Sequence, residues 1–600
     1  MFNDSFGANT SFTNYNPIQY LRLIITILNN FTFLRGRISL SVAFLFLFFI
    51  DSKGQIPVPS APQLYWQKKE QIMFIHFAPN TWTGLSQDDN SLPLSRINPT
   101  KLDTDQWCKT AKLWGAKMIV FVAKHSGGFC WWQTNTTEYG VRNIPWRNGK
   151  GDLMADISKS CDKFGLDLGV YIYPGDKTWG AGLGSGGKTK DPSKQEAYNQ
   201  VFRQQLTEVL SNYKPVKEVW FDGSCVIDIS DILKKHASDA VIFQGPSATI
   251  RWVGNERGIA PYPNWYTVKK EDLLTGTSHA LHSDPNGDAY APLEVDVPFL
   301  MTSKHHKWFW APNTDDQLLS IPQLMDIYYK SVGRGSVLLL NATPDTTGLI
   351  PAAHLERYAE FGKEINRRFE KPLRTVSGVG KEFVIDFEKP TTINHAVIEE
   401  NIAKGQRVRK YIIEGMDKGK WIQISEGSSV GSKRIAEFEK TSFKKVRLRI
   451  TESVAIPDIQ EFALYNIENI PFTMNPEDEN VPVSVGGWDR NTFDSEWKDF
   501  ELNLTPQFID KVGQFELRFQ YISHDRDVNG YGLEFEDVKI QMYGGDQTAN
   551  ISKSGNNTFL INYSQHTTKE TTQPVIFSAK IRSKPARSIG NIDLRMINLK

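Results

Sequence analysis

The residues able to do chemistry in this chain sit where apolar runs stop. QIMFI (71–75) ends on His76, MIVFVA (118–123) on Lys124-His125-Ser126, GVYIY (169–173) on Pro174-Gly175-Asp176, and KEVWF (217–221) on Asp222-Gly223. AVIFQ (240–244) is followed by Gly245-Pro246 and, a few residues on, by Arg251-Trp252-Val253-Gly254-Asn255-Glu256. An Asp-Gly after one strand is, alone, an ordinary turn. Two imidazoles, several acids and a guanidinium at successive strand ends point instead to a common rim. The set contains no HExxH and no His/Asp cluster at metal-ligand spacing, so no metal is expected. Among these strand-end segments there is no GxSxG, and no Ser or Cys reads as poised for attack with a base beside it. What remains is a polar pocket of carboxylates and aromatic rings, needing no cofactor. One carboxylate can attack an anomeric carbon while a second donates and accepts a proton, as in glycosidases.

The elements that must position these groups alternate. Between the strand-like runs lie helical patterns at 103–115, 151–165, 194–213 and 322–335, followed by SVLLLNA (336–342). Strand–helix alternation over about 300 residues predicts a (β/α)8-like TIM barrel at 65–368, whose active site gathers at the C-terminal strand ends. No GxGxxG or P-loop follows the first strand, which sets aside the commonest doubly wound functions. After Pro372 the pattern becomes short alternating runs: FVIDF, HAVIEE, YIIEGM, WIQIS, KVRLRI, EFALY. Residues 375–466 therefore read as an all-β sandwich, and 467–600 as a further β-rich domain behind the acidic, Pro-containing linker PFTMNPEDENVPV (471–483).

Composition narrows the class. Lys and Arg total 69 against 68 Asp and Glu, with no basic stripe, so a nucleic-acid partner is not expected. The 16 tryptophans suit either large aromatic cores or sugar stacking. Cys108, Cys130, Cys161 and Cys225 form no CxxC pair. Near the N-terminus, Arg35-Gly36-Arg37 precedes the apolar stretch ISLSVAFLFLFFI (38–50), with Ser52 and Gly54 beyond it. This is the pattern of a secretory signal cleaved after Gly54, too short to span a bilayer comfortably, and predicts a periplasmic or secreted protein.

FIHFAPNTW, AKHSGGFCWW, GVYIYPGD, EVWFDG, IRWVGNERG and LLLNATPDTTGLIP, in this order, resemble glycoside hydrolase family 29, the retaining α-L-fucosidases. IRWVGNERG resembles the branch acting on α-1,3/1,4-linked fucose. The resemblance implies an exo-enzyme acting on fucosylated glycans, with Asp222 as nucleophile and Glu256 as acid/base. Glu294 and Asp296 in PLEVDVPF are the rivals for the second role. It also implies that His76, His125, Tyr171 and Arg251 contact the sugar, with Trp308 against its methyl face. Trp132 is either core or sugar platform. Two departures stand out: His125-Ser126-Gly127-Gly128 replaces the family's His-His-Asp-Gly, and TWTGLSQDD (81–89) stands where Glu-Trp-Gly is usual. The alternatives are a carbohydrate-binding protein on an impaired hydrolase scaffold, or another exo-glycosidase such as an α-galactosidase. Residues 375–466 resemble the galactose-binding-like sandwiches appended to such enzymes, as buttress or glycan binder.

Overall fold

A computed structural model describes residues 56–223, 225–254, 256–273, 283–301 and 306–468. In the C-terminal region it describes 483–488, 495–504, 513–521, 533–542, 545–546, 551–555, 557–563, 575–583 and 592–598. The segment expected to be a leader and signal (1–54) and most of the expected linker (471–482) lie outside the described residues.

Eight parallel strands form the central sheet: β1 (Gln71–Ile75), β2 (Met118–Lys124), β3 (Asp167–Ile172), β4 (Glu218–Trp220), β5 (Val241–Phe243), β6 (Arg251–Trp252), β7 (Leu293–Val297) and β8 (Val337–Ala342). Their lateral order is β5-β4-β3-β2-β1-β8-β7-β6. A parallel bridge from Phe243 to Ile250 joins the two edges, so the sheet is a nearly closed barrel. The strands are buried almost throughout, which explains their continuous apolar runs. Helices α1 (Ala61–Gln67), α2 (Thr104–Leu113), α3 (Leu153–Phe164), α4 (Gln195–Ser211), α5 (Ser230–His236), α6 (Ile321–Lys330) and α7 (Ala352–Phe369) accompany the barrel. The signals that start and stop them are local. Asp103 and Asp152 cap α2 and α3 by accepting from backbone N–H groups two or three residues on. Gly165 ends α3 in the left-handed conformation. Short α1 reaches the start of the barrel strands, where the Trp66 indole donates to Glu218.

Strand alternation sorts each strand's side chains between barrel interior and outer layer. On β4, Glu218, Trp220 and Asp222 share the inner face, bottom to top. Trp220 stacks on Tyr171 (ring centroids 5.2 Å apart) and on Phe243 (4.2 Å), which fills the middle layer. Strand β2 breaks the alternation: its register against β3 shifts between Val122 and Lys124. A bulge there turns Lys124 outward, where its ammonium donates to Gln205 of α4 (2.9 Å), and turns His125 inward, stacked on Tyr171.

Beyond the barrel, a six-stranded antiparallel sheet (Arg374–Val379 to Asp458–Tyr465) has its own apolar core. Lys433 in this region pairs with Glu70 (2.8 Å) and Glu399 (3.3 Å), and Ser432 donates to the Tyr266 hydroxyl, so the sheet is fastened to the barrel. The last region forms a five-stranded and a four-stranded antiparallel sheet enclosing a phenylalanine-rich core. Among the described residues no helix is long and apolar enough to cross a membrane.

Candidate active site

Exposure separates the inward-facing groups at the top of the barrel from the rest. Asp222, His125, Glu256 and Trp308 keep part of their surface accessible, while Trp132 is 0%, Glu294 0% and Arg251 3% exposed. The accessible four, with His76 and Tyr171 behind them, form one neighbourhood. The Tyr171 hydroxyl donates to Asp222 Oδ2 at 2.9 Å. The His76 ring lies 4.9 Å from Trp308 and 6.2 Å from His125. The Trp308 indole N–H donates to Glu256 Oε2 at 3.2 Å. Phe309 stands edge-on to both histidines, 5.2 and 5.1 Å away.

The charges in this pocket follow from withdrawal from water. Asp222 is pushed up to about 6 by burial, further by the negative charge of Glu256, and is pulled back by the Tyr171 hydrogen bond. Both histidines are held below their ordinary value by burial, His125 at about 4, and are neutral at pH 7. A tautomer follows for His76. Asn341 donates its amide N–H to the Trp308 carbonyl (2.9 Å), so its Oδ1 must accept from His76 Nδ1 (2.7 Å). His76 Nε2 is then a bare acceptor, suited to a sugar hydroxyl. Asn341 was visible in LLLNATPD only as the end of a strand. Its partner across the barrel fixes its use.

Three of the candidate residues lie away from the accessible mouth. Arg251, expected to contact the sugar, is 3% exposed and turned away from the barrel interior. On β6, Arg251 and Trp252 must face opposite sides, and it is Trp252 that points inward, donating to Asp296. Arg251 binds the Ala291 and Trp265 carbonyls and Asn264 Oδ1. The neighbouring segment is also held by the antiparallel sheet, through Ser429 and Gln406. Trp132 is core: its indole N–H donates to Glu208 of α4 at 2.9 Å, on the outer layer. Glu294 lies a layer below the mouth, level with Glu218 and Trp220. The Trp220 indole donates to one of its oxygens (2.8 Å), and Glu218 is its electrostatic neighbour. Burial pushes Glu218 up to about 7 and Glu294 well above the carboxylate range, so a proton is held between them. Asp296, two residues up β7, faces Glu256 and is itself raised well above its usual value by burial and by that charge.

The glycine at 127 has a packing reason. A Cβ on Gly127 would fall 2.1 Å from Asp88 Oδ2, and one on Gly128 2.3 Å from Asp176 Oδ1. Asp88, from the segment TWTGLSQDD, also accepts from the Tyr139 hydroxyl (2.9 Å). A carboxylate supplied by another loop therefore occupies the space a side chain at 127 would need. Ser126 is buried, with its hydroxyl 3.2 Å from His125 Nδ1.

Residues 64–368 match the sequence pattern of the family described as Alpha-L-fucosidase. The chain belongs to that family. A candidate alpha-L-fucosidase of Bacteroides thetaiotaomicron, known from its crystal structure, is 34% identical, with a TM-score of 0.64 over 69% of this chain and 100% of that one. Alpha-L-fucosidase 1 of Arabidopsis thaliana is 29% identical over 68% of this chain and 88% of its own length. A GH29 fucosidase of Ruminococcus gnavus, solved in complex with fucose, is 27% identical with a TM-score of 0.59, covering 69% and 96% of the two chains. The protein is thus a glycoside hydrolase, an alpha-L-fucosidase, and its pocket of neutral imidazoles, aromatic rings and paired acids is read in that light.

Proposed function

We propose that this alpha-L-fucosidase is an exported, retaining exo-enzyme that removes terminal fucose in α-1,3/1,4 linkage. Asp222 attacks the anomeric carbon as Glu256 delivers a proton to the departing glycosidic oxygen. The C–O bond breaks and a β-linked fucosyl ester forms on Asp222. Water then attacks the same carbon, giving its proton to Glu256 and freeing Asp222, with two inversions and net retention. The observation that carries this reading is that two carboxyls open on one mouth, Asp222 held by the Tyr171 hydroxyl and Glu256 by the Trp308 indole. Their surroundings divide the labour. Asp222 sits beside Tyr171 at the top of the barrel, where the sugar's anomeric carbon would lie. Glu256 sits on the loop after β6 with part of its surface open, where a leaving group would pass. Neutral His76 and His125 suit hydroxyl groups, and Trp308 and Phe309 offer apolar faces to the sugar.

The linkage is tested with a panel of α-1,2, α-1,3, α-1,4 and α-1,6 fucosylated oligosaccharides. Faster cleavage of branched α-1,3/1,4 substrates is expected, and dominant α-1,2 or α-1,6 cleavage overturns the assignment. A pH profile follows from the same geometry. Asp222 must be ionised to attack, and its proton leaves at about 6. For an aryl α-L-fucoside, kcat/KM is expected to fall about tenfold per pH unit on the acid side of pH 6. An acid limb centred near 4 would contradict the role.

A further inference from the structure

We propose that Gln244 is a positioning residue for the reaction, fastening the turn that carries the nucleophile; the inference rests on Asp222 having that role. Gln244 follows β5 directly, on the strand beside β4. Its backbone sits at φ +63°, a left-handed conformation that costs a side chain about 1 kcal/mol or more and that glycine adopts freely. The next residue, Gly245, is also left-handed at φ +76°. The chain therefore accepts a glycine in this turn and yet keeps glutamine at the first position. The side chain supplies the reason: Gln244 Oε1 accepts the backbone N–H of Gly223, the residue immediately after Asp222. Gly223 is itself left-handed at φ +89°, and nothing stands within 4 Å of where its Cβ would be. Gln244 and Gly245 also line a cavity of about 60 Å³ with Phe221, Cys225 and Leu233. No neighbour packs against the Cβ position of Gly223, and the amide of Gln244 ties the turn to the neighbouring strand.

The purpose of such a tie is geometric. The Tyr171 hydroxyl fixes one oxygen of Asp222 from β3, and Gln244 fixes the backbone behind it from β5. Displacement of a nucleophile by about 1 Å can cost on the order of 100-fold in rate without weakening the ground-state complex. Gln244 reaches the chemistry through Gly223 and need not touch the sugar.

The experiment compares Gln244→Asn, Gln244→Glu and Asp222→Ala with the wild-type chain on an aryl α-L-fucoside. Asparagine tolerates the left-handed backbone but is one carbon too short to reach Gly223. Glutamate keeps the acceptor at full length and adds a negative charge one residue from Asp222. Gln244→Asn is expected to lower kcat about tenfold or more, with KM within about threefold of wild type. Gln244→Glu is expected to restore kcat at the pH optimum to within about threefold, with the acid limb moved to higher pH. A Gln244→Asn enzyme with wild-type kcat overturns the proposal. So does a Gln244→Glu enzyme as slow as Gln244→Asn, or one with an unmoved acid limb. If Gln244→Asn does not fold, the glutamate variant decides alone. An active Asp222→Ala enzyme would show that the nucleophile assignment had failed, whatever Gln244 does.

Discussion

Asp222→Ala is expected to lower kcat on an aryl α-L-fucoside by about 10⁴-fold or more, because it removes the group that bonds to the anomeric carbon. Azide should restore part of the rate, since a small anion can enter the space left by the carboxylate and attack the same face. The product would be β-fucosyl azide, of inverted configuration, formed in one displacement. An inert protein with no azide response would leave the assignment unsupported, and an active one would overturn it. A second readout concerns stability. Asp222 is held up at about 6, above its ordinary value, so the folded protein binds this proton more tightly than the unfolded chain does. The associated stability is present at low pH and is lost as pH rises through about 6. At pH 7.5 the ionised carboxylate then costs of order 1–3 kcal/mol, toward the lower end because Asp222 keeps some contact with solvent. The near-isosteric Asp222→Asn should melt a few degrees higher than wild type at pH 7.5, with the difference shrinking toward pH 4. An enzyme that gains stability as it loses its reaction is the signature of a carboxylate kept for chemistry.

How far the sequence revealed this site depended on element length. The long barrel strands β1, β2, β3 and β8 were legible because burial on both faces leaves continuous apolar runs that end on the functional residue. Strand β6 has only two residues, Arg251–Trp252, too few to show a period. Without a strand there, nothing in the sequence said which side chain pointed inward. Motif resemblance chose Arg251; alternation in the sheet chose Trp252. Strand β7 was hidden for another reason. Glu294 and Asp296 interrupt its apolar run, so LEVDV does not stand out among the continuous apolar runs that read as strands. The acids are tolerable inside because Trp220, Trp252 and a shared proton satisfy them. The bulge in β2 was also invisible, yet His125 faces inward only because of it. Trp132 could not be settled from its own neighbourhood, because its partner Glu208 lies 76 positions away.

Glu256 faces the harder test, because Glu294 and Asp296 lie on the neighbouring strand. Glu256→Ala should slow cleavage of natural fucosyl oligosaccharides by about 10²–10⁴-fold, the usual worth of general acid–base assistance. Aryl fucosides with a good leaving group need little protonation, so their first step should suffer less. The fucosyl ester on Asp222 would then accumulate, for want of a base to activate water. Azide needs no base and should speed its breakdown, with α-fucosyl azide as product, since two inversions have occurred. The two azide products, β from the Asp222 variant and α from the Glu256 variant, together define a retaining pair. Glu294→Gln, by contrast, breaks a buried pair one layer down and should show no azide acceleration. Azide rescue of Glu294→Gln with none for Glu256→Ala would transfer the role. The placement argues against that outcome. Glu294 is sealed from solvent, and an acid/base residue must exchange its proton with water in every turnover. Glu256 is partly open, and its carboxyl is steadied by the Trp308 indole, whose ring lies beside His76. Substrate seated against Trp308 would bring its glycosidic oxygen to an accessible carboxyl that also acts electrostatically on Asp222.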